Sequence, residues 1–145
     1  MEIRLELVVV PVTDVDRAKA FYADGCGFNV DVDHAPSPEF RVVQLTPPGS
    51  GCSVTIGTNV ASMAPGTLKG LQLCVADIDE AHAAFSGRGV PVTPVRHHDG
   101  TGFVDGKGDD WNSFFFFDDP DGNSWAVQES PTMRQRAAEE GSGQA

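Results

Sequence analysis

The chain opens on an apolar run, Leu5 to Val12, that reads as a strand, and passes at Asp14 into an amphipathic segment, 14–24, that reads as a helix. The same succession returns at Leu71 to Val75 and 77–86. Asp14 and Asp77 stand where a side-chain oxygen can accept the free N–H groups of a first helical turn, and glycines (Gly25 and Gly27; Gly87 and Gly89) close each helix. Short β-rich segments follow each one. Within them the apolar positions alternate: Val54 and Ile56 against Ser53 and Thr55, Leu71, Leu73 and Val75 against Gly70, Gln72 and Cys74, Trp125 and Val127 against Ser124, Ala126 and Gln128. One face is greasy and the other small and polar.

The two halves are copies. Val12–Ala20 and Val75–Ala83 align at a constant offset of 63, with five of nine positions identical. Each copy predicts strand, helix and about three more strands, separated by the Pro- and Gly-broken linker 58–67. The expected fold is α+β: two βαβββ modules, about 1–57 and 68–130, forming a curved mixed β-sheet, with a polar tail at 131–145 that forms a short helix or frays.

Composition narrows the partners. At 145 residues the chain is one domain's length, able to bury roughly two-thirds of its unfolded surface. Its net charge of −11 repels phosphate backbones, which argues against nucleic acid. Seven aspartates crowd positions 97–121 beside a single Lys107, as a solvated loop face or a cation-attracting rim. Leu7 to Val12 is too short to cross a bilayer, and Glu2 and Glu6 spoil it as a signal peptide. Cys26, Cys52 and Cys74 form no CxxC pair and suit a reducing compartment. These features lead us to expect a cytoplasmic protein with no membrane partner.

The paired modules, the segment "VTDVDRAKAFY" and the hairpin "FFDDPDGNSWAVQE" resemble the vicinal oxygen chelate superfamily, which includes glyoxalase I, extradiol dioxygenases, fosfomycin-resistance enzymes and bleomycin-binding proteins. The resemblance covers nearly the whole chain up to Glu129. It implies a divalent metal held by one ligand from the first strand and one, usually Glu, from the last strand of each module. Carried over residue by residue, those positions are Leu7, Ser53 (with Thr55 as the alternative register), Gly70 and Ala126. None supplies a carboxylate, imidazole or thiolate, so no metal and no cofactor are expected there. His97 and His98 are neighbours that point to opposite faces of a strand, and His34 and His82 lack partners at ligand spacing; all four read as surface or structural. No cysteine has a neighbouring His or Lys to activate it.

With the helices over the greasy face, Leu7, Ser53, Thr55, Gly70, Gln72, Ala126 and Gln128 are expected to line the side that the resemblance makes a ligand cleft, with Gln72 and Gln128 either holding a ligand or satisfying each other. Trp111, Phe115 and Phe117 complete the expected cleft, beside the glycine-rich stretch 99–110 as a mobile lid. The expected function is binding or sequestering an aromatic, neutral-to-cationic small molecule, as in bleomycin-resistance-like members; the alternative is a glyoxalase-like lyase, isomerase or epimerase using cleft acid and base groups. The resemblance also implies a homodimer.

Overall fold

The computed structural model describes residues 1–142. It contains two mixed sheets with helices, an α+β arrangement, and two compact units. The first comprises Met1–Lys69 together with Asp118–Asn123. The second comprises Gly70–Phe117 and the chain from Ser124 onward.

In the first unit, β1 (Leu7–Val9) leads to α1 (Val15–Ala20), a π-helical turn (Phe21–Gly25) and the strands β2 (Asn29–Ser37), β3 (Phe40–Thr46) and β4 (Ser53–Thr58). The sheet order is β1-β4-β3-β2, with β1 parallel to β4 and the rest antiparallel. β1 is shorter than the apolar run, although the ladder continues on both sides: Ser53 N–H donates to Glu6 O and Val10 N–H to Thr55 O. Asp14 caps α1 by accepting from Arg17 N–H at 3.0 Å. Val10, Ala18, Tyr22, Phe28, Val43, Leu45, Val54 and Ile56 are the buried apolar set. At the helix-covered edge, Asp33 accepts from Lys19 at 2.8 Å and from Arg41 at 2.9 Å, and Arg41 also reaches Asp16 at 2.7 Å.

The turn 118–123 belongs to this unit because its buried polar groups find their partners here. The Asp119 carboxylate accepts from Tyr22 Oη at 2.7 Å, from Asn123 Nδ2 at 2.7 Å and from the Asp121 and Asn123 backbone amides at 2.9 Å. Asn123 donates to Pro11 O and accepts from Leu68 N–H, while Asp121 accepts from Thr13. A division of the chain at the linker alone therefore leaves out this piece, whose tertiary partners lie roughly a hundred positions earlier in sequence.

In the second unit, β5 (Leu71–Val75), α2 (Ile78–Gly87), β6 (Arg96–His98), β7 (Phe103–Asp105), β8 (Phe114–Asp118), β9 (Ser124–Glu129) and α3 (Pro131–Ser142) follow in order. The sheet order is β5-β9-β8-β6-β7. β5 and β9 are parallel, with Gln72 beside Ala126 and Cys74 beside Gln128. Asp77 caps α2 through the Asp79 and Glu80 amides, both at 3.0 Å. Ile78, Phe85, Val90, Phe115, Phe117, Trp125 and Val127 are buried. The buried Glu129 accepts from Ile78 N–H at 3.0 Å and from Arg134 at 2.8 Å, which ties the start of α2 and the otherwise exposed α3 to the end of β9. No helix among the described residues is long and apolar enough to cross a membrane.

Candidate functional site

The second unit presents one sheet face without a helix among its ring contacts, and hairpin pairing decides what stands on it. Asp119 N–H donates to Asn123 O and Glu129 N–H to Ser113 O, so residues of β8 and β9 pair at a constant sum. Phe116 therefore lies beside Ala126, Phe114 beside Gln128, and Phe117 beside Trp125, with which it stacks at 5.8 Å. Phe114 and Phe116 share the face of Gln72, Ala126 and Gln128. Phe115 and Phe117 point the other way: Phe115 is 0% exposed and meets Phe85 at 5.6 Å, and Phe117 meets Phe85 at 5.5 Å. The expectation that Phe115 and Phe117 line the cleft is thereby corrected. In an alternating strand the pair opposite Trp125 and Val127 must join their core.

The face continues onto β6 and β7. Arg96 is the cross-strand partner of both Phe114 and Asp105, and His98 that of Phe103. The Phe103 ring stands edge-on to His98 at 5.2 Å, to Phe114 at 5.6 Å and to Phe116 at 5.1 Å, while Phe114 and Phe116 lie parallel at 6.1 Å. Phe103 is 47% exposed and Trp111 49%, values that leave large aromatic surface open to solvent.

Within the stretch 99–110, expected to act as a mobile lid, β7 forms a hairpin with β6, and the adjoining loops are hydrogen-bonded to it. Asn112 donates to His98 O at 2.9 Å and accepts from His98 N–H at 2.8 Å; Gly106 N–H donates to Val95 O at 2.8 Å. Gly108 is needed for the close packing of this loop, because a Cβ there would sit 2.4 Å from Asn112 O and 2.8 Å from His97 Cβ. Asp99 closes the β6–β7 turn by accepting from the Thr101 hydroxyl and from the Thr101 and Gly102 amides. These bonds, the hydroxyl first, hold its carboxyl below the ordinary 3.8, at about 2. The aspartate run is thus largely spent on structural pairing: Asp105 pairs with Arg96, Asp110 with Arg134, Asp119 with Tyr22 and Asp121 with Thr13.

Gln72 and Gln128 satisfy each other, with Gln72 Nε2 donating to Gln128 Oε1 at 2.7 Å. Gln128 Nε2 in turn donates to Trp111 O at 2.7 Å. Trp111 has φ +64°, a left-handed conformation that costs a bulky residue of order 1 kcal/mol or more. Gln128 holds that strained carbonyl in place, so the glutamine pair positions the tryptophan.

In the first unit, Leu7 pairs with Ser53 and Val9 with Thr55, and Thr55 faces Gln44 across β3. Ser53 and Thr55 are 6% and 5% exposed. Ser53 Oγ is bonded by Gln44 and Thr46, whereas Thr55 Oγ1 has no partner among the described residues. The internal offset of 63 sets Val9–Thr55 against Gln72–Ala126, so Thr55 is the counterpart of Ala126 and Ser53 that of Ser124. In either register the side chains are aliphatic, hydroxyl, amide or absent, a donor set that does not fit a divalent metal. Among the described residues no three His, Cys, Asp or Glu side chains gather into a metal-binding group elsewhere.

Sequence reasoning missed Phe103, Phe114, Phe116, Arg96 and His98. The turn Asp119–Asn123 carried the signal for the two β8 residues, since a hairpin closed there sets Phe116 opposite Ala126.

A family profile for the Glyoxalase/Bleomycin resistance protein/Dioxygenase superfamily matches residues 4–127. Among solved structures, the chain is similar to TnmS3, an antibiotic binding protein from Streptomyces sp. CB03234, at 30% identity, TM-score 0.71, covering 89% of this chain and 97% of that one. It is similar to a glyoxalase/bleomycin resistance protein from the same Streptomyces at 32% identity, TM-score 0.68, covering 86% and 99%. A superfamily member from Sphaerobacter thermophilus DSM 20745 matches at 28% identity, TM-score 0.69, over 89% and 98%. A comparison with curated proteins found no match. The chain belongs to the Glyoxalase/Bleomycin resistance protein/Dioxygenase superfamily.

Proposed function

We propose that this protein binds and sequesters a flat aromatic, neutral-to-cationic small molecule without transforming it. The observation that carries the reading is the open aromatic surface of Phe103, Phe114 and Phe116 beside the small Ala126, with Trp111 pinned near it through Gln128. Aromatic faces supply contact area and a cation–π surface of about 0.5–2 kcal/mol, and the net charge of −11 favours cations over anions. The likeness to an antibiotic binding protein supports the same reading. The four superfamily metal positions lack ligating side chains, so the binding uses no metal and no cofactor at that site. Elemental analysis of dialysed protein tests this, one equivalent of a divalent metal lost on changing Ser53 or Ala126 being the contrary result.

Trp111 and Trp125 provide an intrinsic reporter. Titration with proflavine, a planar cation, and 9-fluorenone, a planar neutral ketone, should quench fluorescence saturably for at least one, and the proflavine affinity should fall as salt rises. Absence of saturable binding by both, or affinity unaltered in Phe116→Ala, overturns the reading. Mass-spectrometric detection of a rearranged product from a bound ligand would transfer the weight to a lyase, isomerase or epimerase. The working unit in this reading is a cytoplasmic homodimer, tested by light scattering for a mass twice the 15.4 kDa of the chain.

A further inference from the structure

The aromatic face carries hydrogen-bond donors whose placement selects among aromatic ligands. Gly100 N–H donates to His98 Nδ1 at 3.1 Å, so Nδ1 is the acceptor nitrogen and the ring N–H stands on Nε2. The His98 backbone is held at both its N–H and its C=O by the Asn112 amide, and its ring stands edge-on to Phe103. Backbone and acceptor nitrogen are therefore set by the protein itself, the ring rests against Phe103, and no described residue bonds Nε2. Two positions back on the same strand face, Arg96 engages Asp105 through Nε at 3.3 Å, and its remaining guanidinium N–H groups have no partner among the described residues. Both donors stand beside phenyl rings: His98 beside Phe103, and Arg96 as the cross-strand partner of Phe114.

We propose that His98, seconded by Arg96, is the specificity-determining residue of this face, and that the ligand is a planar aromatic compound carrying an acceptor oxygen on its rim, such as an aryl ketone. The rings alone accept any flat apolar molecule. The His98 Nε2–H separates those with an acceptor from those without, because a preorganised donor forms its bond without first ordering a side chain. A ligand lacking the oxygen leaves that donor desolvated and unpaired. This inference rests on the binding reading above and narrows its ligand class to the neutral, acceptor-bearing end.

The test uses a matched pair, 9-fluorenone and fluorene, which share a skeleton and differ in one carbonyl oxygen. One net hydrogen bond corresponds to a factor of about five in affinity, so wild-type protein should bind fluorenone about five-fold more tightly than fluorene. His98→Phe, which keeps an aromatic edge but removes the donor, should bring that ratio to about one. His98→Gln, which restores a side-chain donor, should recover part of it. Thermal unfolding checks that both variants fold. Equal wild-type affinities for the two compounds, or a ratio that persists in His98→Phe, overturns the inference while the aromatic binding face stands. Failure of wild-type protein to bind either compound, or proflavine, overturns the binding reading and this inference with it.

Discussion

Phe115 and Phe116 are adjacent, chemically identical and assigned opposite duties, so exchanging each for alanine gives a crossed test of the assignment. Phe115 is fully buried, with its ring against His82 at 5.4 Å and Phe85 at 5.6 Å. Removing a phenyl group from such a filled position leaves a cavity and costs about 3–5 kcal/mol. In a chain of this size each kcal/mol moves the midpoint by about 3 °C, so Phe115→Ala should lower Tm by about 9–15 °C. Phe116 is half-buried and gives up its edge contact with Phe103 at 5.1 Å and its parallel neighbour Phe114 at 6.1 Å, together about 1–3 kcal/mol, or about 3–9 °C. The effects on binding run the other way. Loss of the Phe116 ring removes a contact of about 1–1.4 kcal/mol, a five- to ten-fold weakening of proflavine or fluorenone affinity. Phe115→Ala, assayed well below its own midpoint, should weaken it less than two-fold. Calorimetric unfolding and fluorescence titration supply the two axes. Equal losses of stability, or a larger loss of affinity in Phe115→Ala, would refute the register argument.

Three further outcomes are expected. Thr55→Val removes the buried hydroxyl without a partner and should raise stability by about 1 kcal/mol in urea unfolding, whereas a loss of similar size would mean that the hydroxyl is satisfied in solution. Asp119→Ala leaves the Tyr22 hydroxyl and the Asn123 amide buried without their acceptor and should cost about 3 kcal/mol or more, read by the same method; a change under 1 kcal/mol would contradict the four-bond arrangement. The Asp99 carboxyl is lowered to about 2 by the Thr101 and Gly102 donors, so its support of the β6–β7 turn is fully present above about pH 4 and lost as pH falls through about 2. Carbon-detected titration of Asp99 should follow that low midpoint, with amide exchange at Thr101 and Gly102 quickening as it is passed; a midpoint at the ordinary 3.8 contradicts it.

What the sequence determined by itself was what short-range chemistry encodes. The offset of 63 between Val12–Ala20 and Val75–Ala83 marked two copies of one strand–helix junction, and Asp14 and Asp77 do cap the helices that follow. The residue types at Leu7, Ser53, Gly70 and Ala126 were also readable, because whether a position carries a carboxylate, imidazole or thiolate is a property of the sequence itself. The faces of β4, β5 and β9 followed from alternation, since each strand mixes apolar with polar residues. β8 defeated the same reasoning: four consecutive phenylalanines have no polar phase, and only pairing with β9 fixes which two meet α2. Tertiary structure likewise decided the left-handed Trp111 that Gln128 holds, the joining of Asp119 to Tyr22 across 97 positions, and the histidine ring set against Phe103. Each depends on partners that are distant in sequence or lie on another element and meet only in the folded chain. A local pattern records the preference of one segment, and a buried or strained group is fixed by whichever distant group satisfies it.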